Sequence, residues 1–136
     1  MQPITVETIV NAPMEKVWEC WNEPKHIGGW AFASDDWEAE GLENDLKVGG
    51  KFKTRMGAKD KSASFDFTGT YSAVKENELI EYNMDDGRHV KIEFKTIPEG
   101  VQITETFDPE NENSEEKQRS GWQAILDNFK LYTEKV

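Results

Sequence analysis

The chain has 136 residues, a net charge of −11 and an apolar fraction of 36%. A surface this acidic repels phosphate backbones and anionic membranes, which argues against nucleic-acid binding and against membrane association. The sequence has no run of 18 apolar residues and no signal-peptide pattern, so we expect one cytoplasmic domain over residues 1–136.

The first part of the chain predicts a strand followed by two short helices. Residues 2–10 alternate apolar and polar side chains, which is typical of a strand with one buried face. Pro13 suits the first turn of a helix, and apolar residues then recur at helical spacing up to Trp21. Pro24 begins a second short helix, which the glycine pair 28–29 ends.

The middle of the chain predicts about six antiparallel strands. Each has one apolar and one polar face, so we expect one side of the sheet to meet water. The Asp86-Gly87 pair is a favourable hairpin turn. The predicted strands lie around residues 37–41, 51–56, 63–71, 79–85, 90–94 and 101–107.

The last segment, residues 113–136, predicts a long helix. Asn113 and Glu116 have the spacing of a capping box, and the glycine at position 121 suggests a close approach of the helix to the sheet. An apolar stripe at helical spacing consists of Trp122, Ile125, Leu126, Phe129 and Thr133, whereas Gln123, Asp127, Lys130 and Glu134 fall on the other side.

The element order predicts the α+β class, with a curved antiparallel sheet of six to seven strands wrapped on the C-terminal helix. With this order, the stretches VNAPMEKVWECW, GGKFKTRM, FDFTGTYSAVKENELIEY and GWQAILDNFKLY resemble the SRPBCC superfamily of START-like, Bet v 1-like helix-grip domains. Within it, the chain is most similar to the AHSA-type group, named after an activator of a chaperone ATPase. The resemblance implies a hydrophobic cavity between the sheet and the last helix.

The aromatic residues and one leucine are candidates for lining that cavity. They would bind a small hydrophobic or aromatic molecule, with Trp30 and Trp37 near the mouth. The alternative is an ordinary packed core built from the same side chains. The candidate ligand-binding residues are Trp30, Trp37, Phe52, Phe65, Phe67, Tyr82, Phe94, Trp122, Leu126 and Phe129.

Glu105 is the main candidate for chemistry. It shares an alternation face with Ile103 and Phe107, which would place a carboxylate inside the cavity. Burial would raise its pKa and make it a candidate acid or base, with Tyr82 as a second cavity group. An enzyme of cyclase or hydrolase type is therefore an alternative to a binding module. The other interpretations of Glu105 are an irregularity of the strand, or an ion pair with Arg55 or Arg88 at the rim of the cavity.

The sequence predicts neither a metal site nor a cofactor. The single cysteine, Cys20, and the two histidines, His26 and His89, lie in different elements, and the acidic segment 35–40 lacks the ligand spacing of a calcium loop.

Two kinds of protein partner are alternatives. Leu131 faces away from the apolar stripe and is either a lone exposed leucine or a contact to a homodimer or other partner. The resemblance also raises a chaperone partner and a role in the stress response. In such activators the corresponding domain works beside a partner-binding N-terminal domain, which these residues do not contain, so we favour the binding module.

Overall fold

A computed structural model describes residues 2–136 and confirms the predicted α+β class and element order. Strand and helix ends differ from the predicted ones by a few residues, most clearly where the fourth strand of the chain continues to Lys75. The elements are β1 (Ile4–Val10), α1 (Met14–Asn22), α2 (Pro24–Ile27), β2 (Trp37–Asn44), β3 (Lys51–Ala58), β4 (Ser64–Lys75), β5 (Leu79–Met84), β6 (His89–Ile97), β7 (Gly100–Phe107) and α3 (Glu115–Lys135).

The strands form one curved antiparallel sheet in the order β1-β7-β6-β5-β4-β3-β2. Its inner face carries the buried side chains, and in β7 these are every second residue from Val101 to Phe107. Since successive side chains of a strand point to opposite faces, Glu105 is on the buried face. This arrangement is the helix-grip fold that the sequence predicts.

The N-terminus of α3 differs from the predicted capping box. Ser114 is the N-cap residue, and its hydroxyl accepts a hydrogen bond from the backbone N–H of Lys117 at 3.1 Å. Asn113 instead donates its side-chain amide to the Glu110 carboxylate at 2.7 Å. Ser and Asn are both favoured N-cap residues, and the spacing between Asn113 and Glu116 therefore predicted the N-cap one residue too early.

The polar side of α3 does not simply face water, because it covers the free edge of β1. Glu134 accepts a hydrogen bond from the backbone N–H of Asn11 at 2.8 Å. Other side chains of α3 form hydrogen bonds to backbone carbonyls of β1, which an edge strand would otherwise present to another chain. Three side chains of α3 donate to alternate carbonyls of β1: Arg119 to Thr5, Gln123 to Glu7 and Lys130 to Ile9, at 3.1, 3.1 and 2.7 Å.

One end of the interior is filled by five aromatic residues that we call the aromatic cluster: Trp18, Trp21, Trp30, Phe94 and Phe129. The ring of Trp21 contacts Phe94 and Phe129 in T-shaped arrangements, with centroid distances of 5.6 and 4.8 Å. The indole N–H of Trp30 donates to the Cys20 carbonyl at 2.9 Å, so the polar atom of this buried ring is satisfied. This end is a packed core.

Candidate ligand-binding cavity

A cavity of about 900 Å³ lies beside the aromatic cluster, and two members of the cluster, Trp21 and Trp30, border it. Strands β2 to β7 and the turns between them supply most of its wall, and Trp21 of α1, Ile27 of α2 and residues of the segment 30–34 supply another part. Helix α3 supplies five residues at helical spacing: Gln118, Gly121, Trp122, Ile125 and Leu126. Cavities of roughly 300–1,000 Å³ accommodate small-molecule ligands, so the volume suits a drug-sized molecule. Both buried and exposed residues line the cavity, which is therefore open to solvent on one side.

Four aromatic rings form the main apolar wall. The ring of Phe52 lies 4.7 Å from that of Tyr82 and 5.6 Å from that of Phe67, and Phe67 lies 6.2 Å from Trp122. Trp122 stacks on Phe107 at 3.9 Å with an interplanar angle of 8°, which fixes its indole on the sheet. We call Phe52, Phe67, Tyr82 and Trp122 the aromatic wall.

Two glycines shape the space around this wall. A Cβ atom at Gly69 would lie 2.8 Å from the ring of Phe52, so glycine is needed for that ring to lie over β4. A Cβ atom at Gly121 would meet no atom within 4 Å. The predicted close approach of α3 to the sheet at this position is therefore wrong: Gly121 leaves space open at the cavity.

Glu105 lines the cavity and is 7% exposed. Within residues 2–136 no group donates a hydrogen bond to its carboxyl, and desolvation alone raises its pKa to about 8. The alternative of an ion pair is wrong, because Arg55 pairs with Asp66 at 3.3 Å and Arg88 with Asp86 at 2.8 Å. The inward orientation predicted from strand alternation is confirmed.

Two tyrosines differ in how their hydroxyl groups are held. Tyr71 donates its hydroxyl to the Asn44 side chain, and burial raises its pKa above the usual range. Tyr82 is almost fully buried, and desolvation followed by the charge of Glu105 raises its pKa well above the ordinary value. Tyr82 and Glu105 therefore share one cavity and interact electrostatically, and both favour their neutral forms.

The polar part of the lining is strongly acidic. Arg88 is the only basic residue among those that line the cavity, and its guanidinium is already paired with Asp86. The carboxyl groups of the lining belong to Glu43, Asp66, Asp85, Asp86, Glu105, Glu110 and Glu112.

Comparison with known proteins identifies the family. Residues 11–134 match the family described as Activator of Hsp90 ATPase homolog 1-like protein. The chain belongs to this AHSA1-like family, and with it to the SRPBCC superfamily. No curated protein sequence matches the chain.

Solved structures agree with this assignment. An AHSA1-like protein from Aeromonas hydrophila is 45% identical, with 98% of this chain and 92% of that one covered and a TM-score of 0.92. A protein from Cytophaga hutchinsonii is 55% identical, with the same coverages of 98% and 92% and a TM-score of 0.85. A Chromobacterium violaceum protein, 22% identical over 98% of this chain and 99% of that one, shares the fold with a TM-score of 0.87.

Eight of the ten predicted ligand-binding residues line the cavity of this AHSA1-like chain, and their role in binding stays a prediction. Phe65 is 52% exposed and its ring lies 6.0 Å from the half-buried Trp37, so this pair borders the opening. Trp30 was predicted near the mouth but is buried in the aromatic cluster. The eight are Trp30, Trp37, Phe52, Phe65, Phe67, Tyr82, Trp122 and Leu126.

Phe94 and Phe129 do not line the cavity. Both are buried in the aromatic cluster, where the ring of Phe94 lies 5.2 Å from that of Trp18 and the ring of Phe129 lies 4.9 Å from that of Trp30. Alternation and helical periodicity correctly place them on inward faces, but Trp18 and Trp21 of α1 and Trp30 cover those faces. For these two residues the packed-core alternative is correct.

Sequence reasoning missed Gln118, which is buried at the start of the α3 face. Its amide donates to the carbonyls of Glu110 and Asn113 and accepts from the Glu110 N–H, which ties the loop after β7 to the helix. The apolar stripe, extended back by one helical turn from Trp122, would have found it. The acidic lining was also missed, because its carboxylates come from separate strands and loops.

The remaining predictions concern metal, membrane and partner sites. Among residues 2–136, no cluster of three or more His, Cys, Asp and Glu side chains is arranged to hold a metal ion. No helix in the same range is long and apolar enough to span a membrane. Leu131 is 57% exposed, and its role as a homodimer or chaperone contact stays a prediction.

Proposed function

We propose that this AHSA1-like chain is a cytoplasmic binding module for a small hydrophobic or aromatic molecule, held in the cavity between the sheet and α3. The observation that carries the proposal is the cavity of about 900 Å³ beside the aromatic wall. Protein interiors are normally close-packed, as the five rings of the aromatic cluster are. An open space of this size beside apolar side chains is therefore unusual and favours a bound ligand. A ligand would bury the apolar surface that the protein leaves uncovered.

Native mass spectrometry of the freshly purified protein, followed by denaturing extraction, tests this proposal directly. We expect a defined small molecule that leaves the protein on unfolding. A thermal-shift screen of aromatic and acyl compounds extends the test to ligands that are lost during purification. A clean protein mass together with no stabilising compound would contradict the proposal.

Gly121 offers a way to fill the cavity without removing any wall residue. A leucine side chain at this position would project into open space on the face that lines the cavity. We expect Gly121→Leu to abolish the thermal shift caused by any ligand found in the screen, while the ligand-free protein stays folded. Ser120→Leu is the matched control, because it adds the same side chain at an exposed neighbouring position. Undiminished binding by Gly121→Leu would place the ligand elsewhere.

A second candidate function is acid–base catalysis on a ligand in the same cavity. It is favoured by the unpaired carboxyl of Glu105, whose pKa of about 8 lies near the range where a side chain both accepts and releases protons. Tyr82 would supply a neutral hydroxyl from the adjacent wall. An activity on a cavity ligand that is lost in Glu105→Gln, with ligand binding retained, would support catalysis. Unchanged turnover in that variant would exclude Glu105 as the acid or base.

A further inference from the structure

Building on the proposed binding function, we propose that the cavity selects hydrophobic ligands that carry one ammonium group, and that Glu105 pairs with that group. Three separate features of the lining support this ligand class: an unpaired buried carboxyl, an aromatic wall beside it, and an excess of acidic residues.

Among the carboxyl groups of the lining, that of Glu105 is the one that belongs to a buried residue. It is 7% exposed, whereas the other acidic residues of the lining are half-buried or exposed. Among the described residues 2–136 no group donates a hydrogen bond to it, and its oxygens are not sealed from water but face the cavity, where a ligand can reach them. A ligand ammonium would provide both the hydrogen bonds and the compensating charge.

The aromatic wall favours the same group. Tyr82 belongs to this wall and lines the same cavity as Glu105, whose charge contributes to raising the pKa of the Tyr82 hydroxyl. Cations are attracted to the faces of Trp, Tyr and Phe rings, most strongly where water is excluded. The apolar part of the ligand would contact Phe52, Phe67 and Trp122.

The charge of the lining selects against the opposite ligand class. Seven carboxyl groups line the cavity against a single guanidinium, that of Arg88, which Asp86 already binds. A cavity lined by one sign of charge concentrates ligands of the other sign and repels fatty acids and other carboxylates. The acidic residues alone would define no site, but here they surround an unpaired buried carboxyl.

Binding of an ammonium group would also release a proton. Glu105 is largely neutral at pH 7 when the cavity is empty, and the ligand charge would favour its ionised form, with the proton passing to solvent. Its neighbours do not complicate this expectation. On the neighbouring strands, Val6 of β1 and Ile92 of β6 lie opposite Glu105 in the sheet. Helix α3 contributes only uncharged residues to the lining. The other charged or titratable groups of the lining are those of Tyr71, Tyr82, Arg88 and the acidic residues named above.

Three probes of matched shape test the proposal: 4-phenylbutylamine, 4-phenylbutanol and 4-phenylbutanoate. Their affinities are measured by isothermal titration calorimetry at pH 7 in two buffers of different ionisation enthalpy. We expect the amine to bind the unmodified protein about tenfold or more tightly than the alcohol, as a charge-assisted hydrogen bond implies, and the carboxylate to bind most weakly. Only the amine should release a proton on binding.

The variant Glu105→Gln keeps the shape of the side chain and removes its charge. We expect it to bind the alcohol unchanged, to lose the preference for the amine and to release no proton. Glu93→Gln is the matched control, because Glu93 is an exposed carboxylate on β6. It should retain the preference.

The outcomes separate this proposal from the proposed binding function. Binding of the alcohol without any preference for the amine would overturn the ligand class and leave the binding module standing. A preference that survives in Glu105→Gln would assign it to another residue and overturn the role of Glu105. Failure of all three probes to bind would overturn the ammonium ligand class, whereas the binding module falls only if native mass spectrometry and the thermal-shift screen also find no ligand.

Discussion

The two ends of the interior are built from similar residues but are packed in different ways. The aromatic cluster brings three tryptophans and two phenylalanines together with ring centroids about 5 to 6 Å apart, and only Trp21 and Trp30 among them border the cavity. The aromatic wall has rings at comparable spacing, from 4.7 to 6.2 Å, yet it borders a space of about 900 Å³. Aromatic content alone therefore does not distinguish a core from a binding cavity.

The difference arises from what covers each part of the sheet. Helix α1 adds Trp18 and Trp21 over Phe94, and α3 contributes Phe129 from its second half, so this end is filled. Over the aromatic wall there is only the first half of α3, which has a glycine at position 121 where a larger side chain would fit. The cavity thus lies where α1 and α2 border the inner face with Trp21 and Ile27 without filling it, and where α3 carries a glycine.

The strongest test of this comparison is the same truncation at both ends. Phe129→Ala removes a fully buried ring from the aromatic cluster and should lower the free energy of unfolding by about 3–5 kcal/mol. Phe67→Ala removes a half-buried ring beside an existing cavity and should lower it by less than about 2 kcal/mol, since fewer contacts are lost. Urea unfolding followed by tryptophan fluorescence measures both. Equal losses would show that the two ends are equally well packed.

A second prediction concerns Glu105, which the cavity leaves unpaired. Its pKa of about 8 in the folded protein lies above the ordinary value of 4.5, so between these values unfolding releases a proton. The free energy of unfolding therefore decreases progressively as the pH rises from 4.5 to 8, because Glu105 must ionise in a buried position. At pH 7 Glu105→Gln should be more stable than the unmodified protein by about 3 kcal/mol.

The pH profile distinguishes this effect from a general change in packing. The difference between Glu105→Gln and the unmodified protein should shrink towards zero at pH 4.5 and reach its maximum above pH 8. Unfolding in urea at a series of pH values measures it. Glu93→Gln, on an exposed carboxylate, should stay within about 0.5 kcal/mol of the unmodified protein. A Glu105→Gln difference that is independent of pH would mean that the carboxyl is not desolvated.

Much of this arrangement was predictable from local patterns. Alternation places Glu105 on the same face as Ile103 and Phe107, and helical spacing places Leu126 and Phe129 on one stripe. These patterns depend only on the geometry of a strand or a helix, so they remain valid whatever packs on the element. Four stretches in the correct order were sufficient to indicate the family.

The extent of the cavity was not predictable, because it depends on which elements meet across the interior. Phe94 and Phe67 both follow inward alternation, yet only Phe67 borders open space. In the same way, the polar spacing of Gln123 and Lys130 could not show that they bond to the carbonyls of β1. Periodicity identifies the face on which a side chain lies, whereas its surroundings are set by long-range contacts.

The smallest expected effect comes from adding one methyl group at a glycine in each region. Gly121 lies inside α3, and a Cβ atom there meets nothing within 4 Å, so Gly121→Ala gains helix propensity without strain and should raise stability by about 1 kcal/mol. Gly29 lies at the filled end, where a Cβ atom would lie 2.5 Å from the ring of Tyr132, whose hydroxyl is bonded to His26.

Gly29→Ala should therefore lower stability, by about 1 kcal/mol or more, as overpacking does. Thermal unfolding of both variants beside the unmodified protein gives the two signs in one experiment. Opposite signs would confirm that α3 borders open space at Gly121 while the end near Tyr132 is close-packed. A loss of stability in Gly121→Ala would mean that the helix lies against the sheet at that position and that the cavity is smaller than the structure indicates.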